Sequence, residues 1–199
     1  MTTTKTISER AFEDFLTRSQ LAFEPIPQAD APRPDYMVTC GTTAIIFEVK
    51  ELSEDANFCK LPFQVSSRMI GEHIRSKIGK ARKQIQFGAR QGFPSVLLIY
   101  NDVDPMHLFG TENHDFAAAM YGEWTLRIGR KNGIAVDSFH GRDRSFGEDK
   151  NTSFSAVGRL APRRGEMKVT LFENAFAKLP LPYNELPSCF EIVCTEIGP

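Results

Sequence analysis

The sequence predicts an α/β fold, a mixed central sheet flanked by helices and extended by extra C-terminal strands. Three observations point there. A long stretch with helical spacing lies between two groups of strand-like segments. The run Ser95–Tyr100, SVLLIY, is continuously apolar, as strands buried on both faces are. Short strand candidates then recur through the second half, with no linker and no internal repeat. At 199 residues the chain can bury one sizeable core. A single domain is expected, with a core at about 7–101 and a β-rich elaboration at about 102–199.

The first helix is expected over Ile7 to Arg18. Thr6 and Glu9 have capping-box spacing, and Ile7, Ala11, Phe12 and Phe15 share a face. LAFEPI (Leu21–Ile26) reads as a short strand, and the proline-rich 25–34 as a loop. Asp35–Thr39 and Ala44–Lys50 read as two strands joined by a four-residue connection, Cys40-Gly41-Thr42-Thr43. The long helix should cover Ser66 to Arg90, with Ile70, Ile74, Ile78, Ala81, Ile85 and Ala89 as its apolar stripe. Gly71, Gly79 and Gly88 weaken it. SVLLIY follows, then a helix near His114–Tyr121. Trp124–Arg130 and Gly133–Phe139 form a hairpin across Asn132-Gly133. Phe154–Leu160 and Met167–Phe172 are further strands. The charged segment Gly141–Asn151 reads as a mobile loop, and Asn174–Pro182 as a surface excursion. Trp124 and the sixteen phenylalanines are assigned mostly to the core.

Composition narrows the setting. Hydrophobic residues make up 41% and charged ones 25%, which argues against wholesale disorder. No apolar run approaches the ~18–20 residues that span a bilayer, so no membrane partner is expected. MTTTKTISER has no signal-like apolar stretch. The four cysteines, Cys40, Cys59, Cys189 and Cys194, lack C-x-x-C spacing, so neither a zinc ribbon nor a disulfide framework is expected. A cytoplasmic protein with reduced thiols fits. Net charge is −1, yet eight basic residues fall between Lys60 and Gln91 (Lys60, Arg68, Arg75, Lys77, Lys80, Arg82, Lys83, Arg90) against one acid, Glu72. Such a strip either tracks phosphates or is a solvated helix face.

The chemistry concentrates in RPDYMVTCGTTAIIFEVKEL, Arg33 to Leu52. Strand alternation puts Ile46, Glu48 and Lys50 on one face, and Ile45, Phe47 and Val49 on the other. Two charged residues on so apolar a strand are costly unless they pair or bind something. With residues 40–43 as the loop, Thr39 lies opposite Ala44, Met37 opposite Ile46 and Asp35 opposite Glu48. Facing carboxylates repel. A divalent cation between them removes that penalty, and hard oxygen donors favour Mg²⁺ or Mn²⁺. Lys50 on the same face can hold a nucleophilic water or the charge that develops on a phosphorane.

With Pro34-Asp35 followed by Glu48-Val49-Lys50, thirteen residues from Asp to Glu, the sequence resembles the PD-(D/E)XK nuclease superfamily of restriction-endonuclease-like and Holliday-junction-resolvase-like proteins. The resemblance extends to the element order helix, three strands, helix, strand over residues 7–101, about half the chain. It implies a restriction-endonuclease-like αβββαβ core and a metal held by Asp35, Glu48 and Val49, with Lys50 catalytic. It also implies a glutamate from the first helix. Glu9 takes that place, ahead of Glu13, which lies about 40° further round the helix. A polar or basic flank on the helix after the Lys strand would meet nucleic acid. His73, Lys77, Lys80 and Gln84 form it, whereas Arg75, Arg82 and Gln86 lie on the opposite flank, toward solvent or a partner.

The tripeptide alone is weak, because Glu148-Asp149-Lys150 and Glu166-Met167-Lys168 match it too. Neither has an upstream Pro-Asp at hairpin distance, and that context separates Glu48-Val49-Lys50 from an incidental pair on a surface hairpin. The four histidines share no spacing that suggests zinc. Asp102 and Asp104 after SVLLIY read as the start of a loop. The expected function is therefore a metal-dependent nuclease acting on DNA. The alternatives are a non-catalytic nucleic-acid- or protein-binding module on a nuclease-like fold, and a partner-dependent nuclease in host defence. A homodimer is compatible with each.

Overall fold

The computed structural model describes residues 5–29, 31–52, 69–101, 110–163 and 165–195. In chain order they form α1 (Ile7–Arg18), β1 (Ala22–Pro25), β2 (Tyr36–Cys40), β3 (Thr43–Glu51), α2 (Glu72–Arg90), β4 (Ser95–Tyr100), α3 (Asn113–Tyr121), β5 (Trp124–Ile128), β6 (Ala135–His140), β7 (Ala156–Arg163), β8 (Glu166–Glu173) and β9 (Phe190–Val193). Seven strands make one sheet in the order β1-β2-β3-β4-β7-β8-β9, while β5 and β6 pair only with each other. The sheet is mixed. β3–β4, β4–β7 and β8–β9 are parallel, and β1–β2, β2–β3 and β7–β8 antiparallel. Among the described residues no helix is long and apolar enough to cross a membrane.

One face of the sheet is covered by α1. Thr6 caps it: Thr6 Oγ1 accepts from Glu9 N (3.2 Å), and Thr6 N donates to Glu9 Oε2 (2.5 Å). Phe12, Phe15 and Leu16 then pack on Tyr36, Phe47, Val49 and Leu98, with the Phe12 ring 5.1 Å from that of Phe47. The opposite face, which carries Leu97, Ile99, Val157 and Phe172, is covered by α2 and α3. Ile74, Ile78, Ala81 and Ile85 of α2 meet Phe116, Ala119 and Met120 of α3 there, and Phe116 stacks on Phe172 at 4.1 Å.

Several expectations change. Helix α2 starts at Glu72, so Ile70 lies before it and is exposed, while the expected Ser66–Arg68 start lies outside the described residues, as do Cys59, Lys60, Asp102, Asp104 and His107. Ile7 is exposed, and Leu16 takes the buried position a turn beyond Phe12. Cys40 pairs with Thr43, which shortens the connection to Gly41-Thr42. The register of Thr39 to Ala44 and Met37 to Ile46 is the expected one. Gly41 supplies the positive φ of that turn, +58°. The charged loop at 141–151 is anchored: Phe146 is fully buried, and Ser145 N and Phe146 N donate to Ala119 O and Met120 O. The excursion at 174–182 is anchored too, with Asn174 Nδ2 donating to Phe154 O (2.7 Å) and Leu181 in the core. Trp124 is 61% exposed, contrary to its assignment to the core. No periodicity announced β9, which has only four residues.

Gly88 lets α2 close on the sheet. A Cβ there would lie 2.6 Å from Ser95 Oγ and 3.0 Å from Ile46 Cγ1. A β-branched side chain at this point must push α2 off β3. Gly88→Val should cost about 2 kcal/mol, the usual range for overpacking, and lower the melting temperature by roughly 4–8 °C. Thermal unfolding of the variant beside wild type measures this, and an unchanged midpoint would mean that α2 does not sit this closely.

Candidate metal centre

The site begins where β2 ends. Asp35 stands one residue before the strand, next to the last ladder pair, Tyr36 opposite Phe47, and its carboxylate acts on Glu48. Asp35 N donates to Phe47 O at 3.1 Å, and Asp35 Oδ2 accepts from Val49 N at 2.8 Å. The carboxylate thus takes the place of a backbone acceptor. In a strand the N–H and C=O of one residue point the same way. The Val49 carbonyl is therefore turned to the same side as its N–H, toward Asp35.

Glu48 and Lys50 share a face of β3, and their β4 partners are Leu97 and Ile99. Glu48 is 0% exposed, which an incidental pair on a surface hairpin would not be. Lys50 is about 29% exposed at its side chain and ion-pairs with Glu48 Oε1. Neither Glu48 oxygen makes a hydrogen bond of ideal geometry, and the carboxyl relies on its close approach to Lys50 and Asp35. Burial first, and then the Asp35 charge, push its pKa up to about 8, against the pull of Lys50. Burial also raises Asp35, with the Val49 N–H and Lys50 working the other way and Glu9 adding to the rise. Burial and neighbouring carboxylates together make both acids reluctant to ionise. Asp35, Glu48 and the Val49 carbonyl are hard oxygen donors, so the residues present fit a Mg²⁺- or Mn²⁺-sized ion.

Glu9 lies near enough to act on Asp35 electrostatically, but its carboxylate also serves the cap at Thr6. Glu13 points to Lys5 and accepts from the Tyr36 hydroxyl at 3.0 Å. On α2, His73 and Lys77 are buried, Gln84 is half-buried and Lys80 is exposed. Lys77 belongs to the site's surroundings. Its pKa is lowered by burial, then by Lys80 and Lys50, with Glu51 opposing. The opposite flank behaves differently from expectation. Arg82 is exposed, but Arg75 donates to Ala118 O and Ile70 O at 3.2 and 2.7 Å and so ties α2 to α3.

Three residues carry more than their sequence signal suggested. Asp115, fully buried, accepts from Gly71 N (3.0 Å) and Glu112 N (3.2 Å), which pins the start of α2 to the start of α3. Glu112, His114 and Asp115 place ligand atoms within 4.8 Å of one another, yet Glu112 Oε2 accepts from Gly110 N, and both carboxylates serve a capping box. Arg159 is buried in the row of Lys50 and Ile99 and donates to Thr111 O at 2.8 Å. A charge inside an apolar strand was its signal, the same one that marks Glu48. The chain was compared with family models, curated proteins and solved structures, and none matches it.

The raised acid sets a pH dependence. Glu48 ionises near 4.5 when unexposed to these neighbours and near 8 in the fold. Between those values the native state holds the extra proton, so stability without metal is greatest below about pH 4.5 as far as this group is concerned, and falls as pH rises toward 8. A cation competes with that proton. Millimolar Mg²⁺ or Mn²⁺ should therefore raise the melting temperature more at about pH 8 than at about pH 6, and Glu48→Gln should flatten both dependences. A metal-induced shift that persists in Glu48→Gln would assign the ion to other residues.

Proposed function

We propose that this protein is a metal-dependent nuclease of the PD-(D/E)XK kind, which hydrolyses phosphodiester bonds in DNA. The observation that carries the reading is the meeting of Asp35, Glu48 and Lys50 at one edge of a buried strand, with the two acids under-neutralised. The core order and the mixed sheet agree with a restriction-endonuclease-like fold. A bound divalent cation would supply Lewis acidity at the scissile phosphate and a more acidic water. Asp35, Glu48 and the Val49 carbonyl would hold it. Lys50, pinned by Glu48, is positioned to orient the attacking water and to donate to a non-bridging oxygen as negative charge builds. Lys77 and Lys80 lie on the flank from which they can meet the phosphates on either side of the broken bond. Ile99, Leu97 and the α2 stripe keep water from the inner side of Glu48, so its charge acts at short range.

Two measurements test this. Purified protein with Mg²⁺ or Mn²⁺ should cleave one or more of linear, circular, branched and single-stranded DNA, and chelation should stop it. Glu48→Gln and Lys50→Ala should each lose at least ~10²-fold in rate with the fold intact by circular dichroism. Full activity in Glu48→Gln would sink the assignment. For binding, Lys77→Gln with Lys80→Gln should flatten the salt dependence of DNA affinity by about two phosphate contacts. Arg82→Gln with Lys83→Gln, both exposed, should change it much less. Arg75 is unsuited as a control because it holds α3.

A further inference from the structure

Among the described residues the β5–β6 hairpin stands apart from the central sheet, its two strands pairing with each other. Two-stranded ribbons are marginal in water unless a third element covers their apolar face. Here the two faces differ. Trp124 pairs with His140, Leu126 with Ser138 and Ile128 with Ala135, so these side chains share a face. Thr125 with Phe139 and Arg127 with Asp137 form the other. The second face looks inward over a cavity of about 830 Å³ lined also by Tyr121, Phe146 and Phe176. The first face looks outward, and the large side chains on and beside it, Trp124, Leu126, Ile128, Ile134 and Val136, are each 51–67% exposed.

We infer that this outward face of the hairpin is a self-association surface, covered in solution by the same face of a second copy of the chain. Three observations select that occupant. First, the face is uncharged. Arg127 and Asp137 lie on the other side and pair at 3.7 Å, and the basic residues of the hairpin's turn, Arg130 and Lys131, lie beyond the paired strands, so the paired positions of the face carry no charged side chain. Second, an apolar face without charges is complementary to itself and can close around a two-fold axis without setting like charges against each other. Third, the area suits a dimer. Five side chains exposed by half or more leave on the order of 500 Å² of apolar surface, at the upper end of what monomers leave open. Ile70 borders Trp124 across a shallow groove with Ala117, Ala118 and His114, with Glu123 as the one carboxylate at its rim, and Met69 beside it is also exposed. Together they bring the surface near the ~800 Å² that each partner gives to a standard interface.

The surface is independent of the acidic site, so its test is too. Sedimentation velocity of the full chain from low to high micromolar concentration should show a monomer–dimer equilibrium. Leu126→Glu places a charge in the centre of the face in both copies and should raise the dimer dissociation constant at least ~100-fold. If that variant loses its circular dichroism spectrum, cysteine cross-linking decides instead. Val136→Cys should give a disulfide-linked dimer on mild oxidation, beyond the level seen with the native thiols, whereas Arg127→Cys on the inward side should not. Glu48→Gln should dimerise as wild type does, which keeps this result apart from the fate of the nuclease reading. A wild-type chain that stays monomeric throughout would overturn the proposal and hand the face to a different protein. Equal cross-linking from both faces would overturn it as well, and so would a Leu126→Glu variant that is folded and dimerises normally. A Leu126→Glu variant that loses DNA binding while wild type is monomeric would assign the face to nucleic acid.

Discussion

The structure turns on two carboxyl groups set against each other where β2 meets β3. Each is buried enough to resist ionisation, and the Asp35 charge raises the cost for Glu48, while Glu9 raises it for Asp35. One lysine only partly offsets them, because it pairs with Glu48 from the side that stays half open. A fold optimised for its own stability would replace such a cluster with apolar side chains of similar volume, commonly at no loss. Here the surrounding structure is arranged to keep it. Asp35 is fixed by the Val49 N–H, and Phe12 and Phe47 pack behind the strand. The local instability is thus confined to a few atoms at the edge of a well-packed sheet, where a divalent ion would relieve it.

The rest of the fold sets what surrounds that edge. Parallel pairing of β3 with β4 and of β4 with β7 puts Lys50, Ile99 and Arg159 in one row. Gly88 brings the last turn of α2 onto β3, and Asp115 fixes its first residues by accepting from Gly71 N. Between those two points α2 has little freedom to roll. Its lysines therefore stay on the flank that faces Lys50, and the electrostatic contact between Lys77 and Lys50 follows from this constraint. The buried Arg159 joins Thr111 O to Thr170 and, through it, to Glu191, so the entry to α3 is held from the sheet.

Much of this could be read from residue order, for a physical reason. Strand alternation and hairpin register are local rules, and they were enough to bring Asp35 near Glu48 and to place Lys50 on the Glu48 face, although the bond from Asp35 N to Phe47 O departs from the expected one-to-one register at Asp35. The capping box at Thr6 and Glu9 is likewise written within four residues. What escaped reading depends on distant partners. Arg75 looks like a solvated helix residue until α3, more than forty positions away, offers it a carbonyl. Phe146 sits in a charged segment, and only the gap between α3 and Phe154 explains its burial. Asp115 has the sequence of an ordinary cap, and its bond to Gly71 spans forty-four positions. Trp124 went wrong in the opposite sense. Burial preference assigned it to a core that the isolated hairpin does not have.

Charge at the site also bears on how a nearly neutral protein could hold DNA. Asp35 and Glu48 are attended by Lys50, Lys77 and Lys80, with Glu51 near Lys77. Without a cation, Glu48 keeps a proton that a bound ion would have to displace. In the proposed reading, cation binding displaces that proton, and the cluster gains positive charge overall. A phosphate then finds a more favourable field than it met before. Linkage requires the reverse as well: a bound phosphate diester must tighten the cation by the same factor. The two ligands would thus assemble the site together, from an edge where each alone is weakly held. A protein built this way needs no large net positive charge, because the attraction is created locally and only where cleavage would occur.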